Sequence, residues 1–544
     1  MRITLGRLGL LVGLQLTVPG YGQPAGRVSD VPNQPPNRTV TGTVINSVSG
    51  LPVRQALVQM FGNSPATVLT GPDGRFQLNH VPEGQILLFV QKPGFFDASS
   101  IPGASGTPGS LVTVGSGKND FRMTLYPAAR IVGRATDADG EGVENISIQI
   151  LSEQIAEGRK LSVLRSGANT DDDGFFRIDG LTPGRYKVFA NGHLLPRSSW
   201  NAPPEVSVPA YYPDSRDLAS AQQIEVRAGQ EFRADFHLRS ERGFRVVAAV
   251  SGMPDRANVG FSFEDASGQG VAFGPTSFDQ SKAQFVAEAV SSGTWKLILS
   301  ANDSQANSYE LRQEIVVDDA DVTDLQFRLH PLASIPVKVN HATNTVQPSS
   351  ETDLADTSLN ASLISVEPSR YVAYGRQALG SPPVGAFVNV SAGKYKLNMQ
   401  PSGNECLESA WYGGVDLTRD FMVVGSGEYA QALTINLRAD CASLTVKLQS
   451  EGQTRSGFVL IVPTSGLAEP AALPVTAPTP IQPTNVSIPL TLSPGSYQVF
   501  AFSSLDGLEY ANPEALRGYP SQTVNLDPGQ KAELTLELIE RKGG

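Results

Sequence analysis

An all-β fold, laid out as a tandem array of about five Greek-key β-sandwich modules, is the class this sequence predicts, and three observations carry it. First, a turn ending in glycine, then an apolar or aromatic residue and alternating apolar positions, recurs five times. The copies are PEGQILLFV from Pro82, PGRYKVFA from Pro183, SGTWKLIL from Ser292, AGKYKLNM from Ala392 and PGSYQVFA from Pro494. Their glycines, Gly84, Gly184, Gly293, Gly393 and Gly495, are spaced 100, 109, 100 and 102 residues apart. A fixed period of this kind marks a repeat architecture. Second, each copy is followed by a strand, a glycine- or acid-rich turn and a closing strand with period-two alternation, as in Phe121-Met123-Leu125 and Leu534-Leu536-Leu538. That period puts one face in a core and the other in water. Third, helical patterning is nearly absent. Only Asp217 to Ala221 and Pro513 to Leu516 read as single helical turns, both in the loop between the two repeated motifs.

The elements follow in chain order. Residues 1–22 read as a secretory signal: Arg2 and Arg7 precede an apolar run from Leu8 to Val18, and Gly20-Tyr21-Gly22 offers small residues for cleavage. Such a run suits a signal h-region and is too short to span a bilayer. Residues 23–38, rich in Pro, Asn and Gln, read as a flexible linker. New alternating strands begin after each closing motif, at Ile131, Phe244, Ile335 and Leu444. The modules are therefore expected at 39–126, 127–240, 241–331, 332–440 and 441–544, the last with a Pro-rich insertion from Pro463 to Pro483. Linkers of a few residues imply a semi-rigid array. No later segment is apolar for long enough to be a membrane-spanning helix.

Composition agrees. In 544 residues there are 53 Gly and 39 Pro, above ordinary usage but short of collagen-like or disordered composition. Charged residues make up only 17%, which suits short strands and tight turns. The net charge of −11 excludes a general affinity for nucleic acid or anionic lipid, which needs clustered Lys and Arg. Cys406 and Cys441 are the two cysteines. In an oxidising compartment they are expected to bridge. Both follow strands of one module, and two thiols alone make no ordinary structural zinc site.

The first two modules carry a fuller pattern. Module 1 reads GTVINSVSGLPVRQALVQM from Gly42, then TGPDGRFQLNHVPEG from Thr70. Module 2 reads GRATDADGEGVENISIQI from Gly133, then TDDDGFFRIDGLTPGRYKVFA from Thr170. This resembles the carboxypeptidase regulatory-like family, with Gly142-Val143 departing from the proline of its pattern. The firm resemblance covers about a fifth to a quarter of the chain. It implies a transthyretin-like, seven-stranded sandwich, grouped with carbohydrate-binding-like folds, and an arrangement like that of multi-module exported proteins of Gram-negative bacteria. Within the motif, Asp73-Gly74 and Asp173-Gly174 fit a hairpin turn of positive φ. Phe76, Phe176, Ile86 and Tyr186 should point inward.

Chemistry-bearing motifs are sparse. His80 and Glu83 have the His-x-x-Glu spacing of a zinc peptidase, with His193 further on. Yet His80 and Glu83 align with Gly180 and Pro183 of module 2, inside a turn, so no metal is expected there. Asn169 to Gly174 imitates the start of a calcium loop, with Asp137 or Asp139 nearby, but the twelfth position is Gly180 in place of the required Glu. Asp318, Asp319, Asp321 and Asp324 read as a solvated turn. The five histidines, His80, His193, His237, His330 and His341, lie in no nucleophile-elbow context, and neither a P-loop nor a dinucleotide fingerprint is present. No cofactor is expected.

Aromatic residues in loops or at strand ends are the best lead to a ligand, because sugar faces stack on rings. These are Phe95-Phe96, Trp200, Tyr211, Tyr212, Trp411 and Tyr412; Trp295 replaces the tyrosine of the repeat and should be core. The expected function is that of a non-catalytic exported scaffold, adhesion or ligand-presenting protein of the periplasm, outer-membrane surface or exterior, with a glycan or envelope protein as partner. The alternatives are a dedicated carbohydrate-binding protein and, third, a hydrolase or peptidase accessory.

Overall fold

The computed structural model describes residues 38–541 apart from 62–64, 99–109, 118, 157, 196–201, 256, 304–306, 342–358, 367–372, 376, 380–383, 402–404, 428–429, 451–452, 455–456, 465–470, 476–486 and 506. The signal segment, the linker up to residue 37, Trp200 and most of the Pro-rich insertion lie outside the described residues.

Module 1 shows how one repeat folds. Its strands are β1 (Arg38–Asn46), β2 (Leu57–Phe61), β3 (Ala66–Leu69), β4 (Arg75–Val81), β5 (Gly84–Gln91), β6 (Phe95–Phe96), β7 (Ser110–Val114) and β8 (Asp120–Pro127). One sheet runs β4-β1-β8-β6 and the other β3-β2-β5-β7. Alternation along the strands places Val40, Val44, Val58, Leu78, Leu88 and Leu125 between the sheets. Phe76 and Ile86 point inward as the motif requires. The closing strand β8 lies parallel to the opening strand β1, with Thr41 opposite Asp120.

That parallel pairing of first and last strand recurs in every module. Ala129–Thr136 takes Glu231–Arg233, and Phe244–Ser251 takes Val322–Arg328. Ala333–Asn340 takes Leu433–Arg438, and Ala442–Ser450 takes Lys531–Glu537. The chain is thus a tandem array of five sandwiches of one topology.

Two local expectations are modified. The Asp73-Gly74 turn closes no hairpin: β3 and β4 belong to different sheets, and the turn carries the chain across the sandwich. It is held there because the Gly74 carbonyl accepts from Val44 N at 2.9 Å. The equivalent Gly174 has φ +81°, and a Cβ on it would lie 2.3 Å from Ala135 O. Both the dihedral and the close approach require glycine. Pro513–Leu516 is a single helical turn capped by Asn512, whose side chain accepts from Glu514 N. Residues 217–221, by contrast, form turns. There Ser220 Oγ donates to Asp217 O at 3.2 Å, a local side-chain bond that competes with helix.

The junctions are pinned by hydrogen bonds. Between modules 1 and 2, Ala128 N donates to Gly94 O at 2.8 Å and Gly229 N to Pro127 O at 2.9 Å. Between modules 2 and 3, linker strand Ser240–Arg242 pairs with Glu205–Ser207. Between modules 3 and 4, His330–Pro331 adds to the edge of Ser308–Val317. Between modules 4 and 5, Ser493 Oγ donates to Leu407 O at 2.7 Å and Gly529 N to Asp440 O at 2.8 Å. Module 5 also returns to module 2: Ala511 N donates to Gly158 O at 3.1 Å.

Candidate functional site

The aromatic residue after the repeated glycine is a lock. Its polar tip reaches back four residues along its own chain. Tyr186 donates to Thr182 O at 2.6 Å, Tyr395 to Ser391 O at 2.8 Å and Tyr497 to Ser493 O at 2.6 Å. Trp295 Nε1 donates to Ser291 O at 2.9 Å, which explains why an indole replaces a phenol there. Each ring is buried. The turn that starts the strand is thereby tied to the core, and only Ile86 of module 1 lacks a polar tip. Burial pushes the hydroxyls of Tyr186 and Tyr497 above the ordinary phenol range.

The aromatics singled out for stacking divide by place. Tyr211 is 1% exposed and packs on Phe189 with ring centroids 4.6 Å apart, so it offers no face to a ligand. Its hydroxyl instead crosses into module 3 and donates to Asp265 Oδ2 at 2.6 Å. Burial first, and the Asp265 carboxylate second, hold that hydroxyl far above the usual phenol range. Tyr212 is half-buried against Phe232 and Phe236. Tyr412 packs on the module 4 core. Phe95 packs on the module 1 core. Trp411 differs: it is 42% exposed.

Sheet register explains what surrounds Trp411. Strand Cys406–Tyr412 adds to the closing strand Leu433–Arg438, and hairpin strand Val415–Asp416 adds beyond it. Pairing sets Lys338, Thr434, Trp411 and Asp416 in one row across four strands. Two residues along, on the same face, Asn340, Asn436 and Ser409 form a second row. Asn340 Nδ2 donates to Asn436 Oδ1 at 2.7 Å, and Asn436 Nδ2 donates to Ser409 Oγ at 2.7 Å. The intervening residues Ala410 and Ile435 face the core. The sequence pointed to Trp411 alone; the two rows come from four strands in three separate stretches of the chain, and no local pattern signals them.

The remaining candidates make local contacts. His80 is exposed with φ +60°, and Glu83 forms an ion pair with Arg38 at 2.6 Å. His193 sits in the strand pair beside Ser207, where burial lowers its pKa against the pull of Glu144. Asp171 Oδ1 accepts from Phe175 N at 2.7 Å, closing its own turn. Asp137 Oδ1 likewise accepts from Asp139 N and Glu141 N at 3.0 and 2.9 Å. Asp321 Oδ1 accepts from Arg245 N at 2.9 Å. Among the described residues no three His, Cys, Asp or Glu side chains gather as a metal site. Cys406 and Cys441 form a disulfide with Cα atoms 5.8 Å apart. A cleft of about 380 Å³ opens between modules 3 and 4, lined by Lys296, Arg312, His330 and the turns at Gly393 and Ser426. Arg312 there is tied to Glu310 at 2.8 Å. No helix among the described residues is long and apolar enough to cross a membrane.

An all-β array of sandwiches with pinned junctions is the class of protein this geometry defines. Residues 39–120 and 130–239, within the first two modules, match the model of the carboxypeptidase regulatory-like domain. No curated protein matches the chain. Among solved structures, it is similar to the Bacillus anthracis TIE protein at 12% identity, over 54% of this chain and 50% of that one, with a TM-score of 0.17. The chain thus spans half the length of that relative. It is also similar to GBS52, the minor pilin of Streptococcus agalactiae, at 11% identity over 40% of this chain and 100% of that one, with a TM-score of 0.21. The shaft pilin spaA of Lactobacillus rhamnosus GG follows at 10% identity, 38% and 98% coverage and a TM-score of 0.19. Likenesses at these scores carry no functional argument.

Proposed function

We propose that this protein is a non-catalytic exported scaffold, whose modules hold binding faces at set spacings and orientations outside the cytoplasm. The observation that carries the reading is the junction of modules 2 and 3. Leu151, Phe189, Tyr211 and Ala221 of module 2 share one hydrophobic cluster with the core of module 3. Around it, Tyr211 bonds Asp265, Gln269 Nε2 bonds Gln149 at 2.9 Å, and Ala272 N bonds Asn191 Oδ1 at 2.8 Å. A shared apolar core with satisfied polar bonds suppresses the relative motion that small polar interfaces between domains allow. A chain that needed only flexible spacing would have no use for it. Export is supported by the signal-like start from Arg2 to Gly22 and by a cysteine pair suited to an oxidising compartment.

The test is a distance distribution between spin labels at Glu225→Cys in module 2 and Asp318→Cys in module 3, measured in the full chain. A single narrow peak is expected. It should broaden when Tyr211→Phe and Asp265→Ala are combined. A broad distribution in the otherwise unaltered chain would overturn the scaffold reading.

A further inference from the structure

The outer face of module 4 carries an exposed indole beside two rows of uncharged hydrogen-bonding groups, and we propose that this face binds a neutral polysaccharide. Indole is the largest apolar side chain, and Trp411 presents 42% of its surface to water on this sheet. Of the other tryptophans, Trp295 is core and Trp200 lies outside the described residues. Next to Trp411 in its row is Thr434, and one step along the strands lie Ser409 and Asn436.

The chemistry of these rows matches vicinal sugar hydroxyls, each of which both donates and accepts. Ser409 Oγ accepts from Asn436, which leaves its own proton to donate. Asn340 spends one amide hydrogen on Asn436 and keeps its carbonyl oxygen as an acceptor. The bonds between Asn340, Asn436 and Ser409 fix the three groups before a ligand arrives, which lowers the ordering cost of binding. Within the two rows, charge stands at the ends of the first, at Lys338 and Asp416; Arg438, two residues beyond Asn436 on the same strand face, is tied to Asp440 at 2.6 Å. The Asp416 carboxylate is already engaged: its Oδ1 accepts from Thr418 N and Oγ1 at 3.0 and 2.7 Å. The centre of the face is therefore uncharged, which favours a neutral glycan over an acidic one. Strands about 4.8 Å apart make the row from Lys338 to Asp416 roughly 14 Å long. That is room for several sugar rings in line, and a flat open face suits a chain more than a single sugar.

The test is affinity electrophoresis of the full chain in gels containing barley β-glucan, xylan or galactomannan, with polygalacturonate as the acidic arm. Retardation by at least one neutral polysaccharide is expected. Trp411→Thr, which keeps a strand-forming residue, should weaken it about tenfold or more, while Trp411→Phe should retain part of it. Asn436→Ala should weaken it a few-fold. Each variant is checked for unchanged melting and an intact Cys406–Cys441 bridge. No retardation in any neutral gel would overturn the proposal. So would retardation by polygalacturonate alone, or retardation that survives Trp411→Thr. These substitutions leave the junction of modules 2 and 3 untouched, so this result and the spin-label distances fail independently.

Discussion

At position 80 a histidine holds φ +60°, a conformation that costs an L-residue about 1–2 kcal/mol. The reason is a bulge. The ladder between β1 and β4 slips between Arg38 and Val40, and the same position is Gly180 in module 2, at φ +75°, and Asn389 in module 4, at φ +53°. The His-x-x-Glu spacing is thus a by-product of a backbone device repeated along the array. The repeated tyrosines are a second such device. Tyr395→Phe leaves Ser391 O buried without its donor, which should destabilise module 4 by about 1–2 kcal/mol in calorimetry. The buried phenols also set a pH limit. Tyr186, Tyr211 and Tyr497 have folded-state pKa values raised above the unfolded value of about 10. Their neutral forms are favoured in the fold, so the stability linked to them is complete below about pH 10 and is lost as pH rises through the folded values. Phenolate absorbance should therefore show a late fraction that ionises only together with unfolding. Full, reversible ionisation of all tyrosines near pH 10 in the folded chain would contradict it.

Elements were legible where they repeat. The glycine turn, the inward Phe76 and Phe176, and the closing alternation all follow from period two and from positive φ, which act within a few residues. What could not be read is long-range pairing. The Asp73-Gly74 turn has hairpin chemistry, yet it crosses between sheets, because the partner of β4 is β1, some thirty residues earlier in the chain. Likewise Trp411 was visible as an aromatic, but Thr434, Asn436 and Asn340 join it only through register. Tyr211 had the same sequence character as Trp411 and lies buried, because module 3 covers it. The strand Cys406–Tyr412 also shows how an added element is held. It lies at the edge of the closing strand, anchored by the bridge to Cys441 across a sequence separation of 35. In the chain-entropy description such a loop contributes about 3–4 kcal/mol. We expect a Cys406–Cys441 cross-linked peptide in the mass spectrum of the non-reduced protein, and a lower melting transition for module 4 after reduction. Two thiols that alkylate freely in the folded chain would refute this pairing.

Over the whole molecule the modules are separate in topology but unequal in independence. Module 2 has a core of its own, with Ile131, Ile148, Phe176, Tyr186, Val188 and Phe236. Residues 127–240 should therefore fold alone. They should do so at a penalty, because the outer face of their second sheet is finished by module 3. Cutting the chain at 240 uncovers Leu151, Phe189 and Tyr211, all at most 1% exposed in the array. Each such side chain is worth about 1.5–3 kcal/mol when fully buried, an upper figure because an isolated module can fold its own loops over part of the face. Even a fraction of that sum is large against the 5–15 kcal/mol that holds a typical domain together. The fragment 127–331 keeps the interface. It should melt as one unit, while 127–240 should melt at least about 5 °C lower and bind an apolar dye. Tyr211→Ala in the longer fragment should split its single transition in two, since the same ring joins both cores and bonds Asp265. Equal melting temperatures for the two fragments, with no dye binding by the shorter, would show that the shared cluster adds nothing, and that modules 2 and 3 touch without supporting each other.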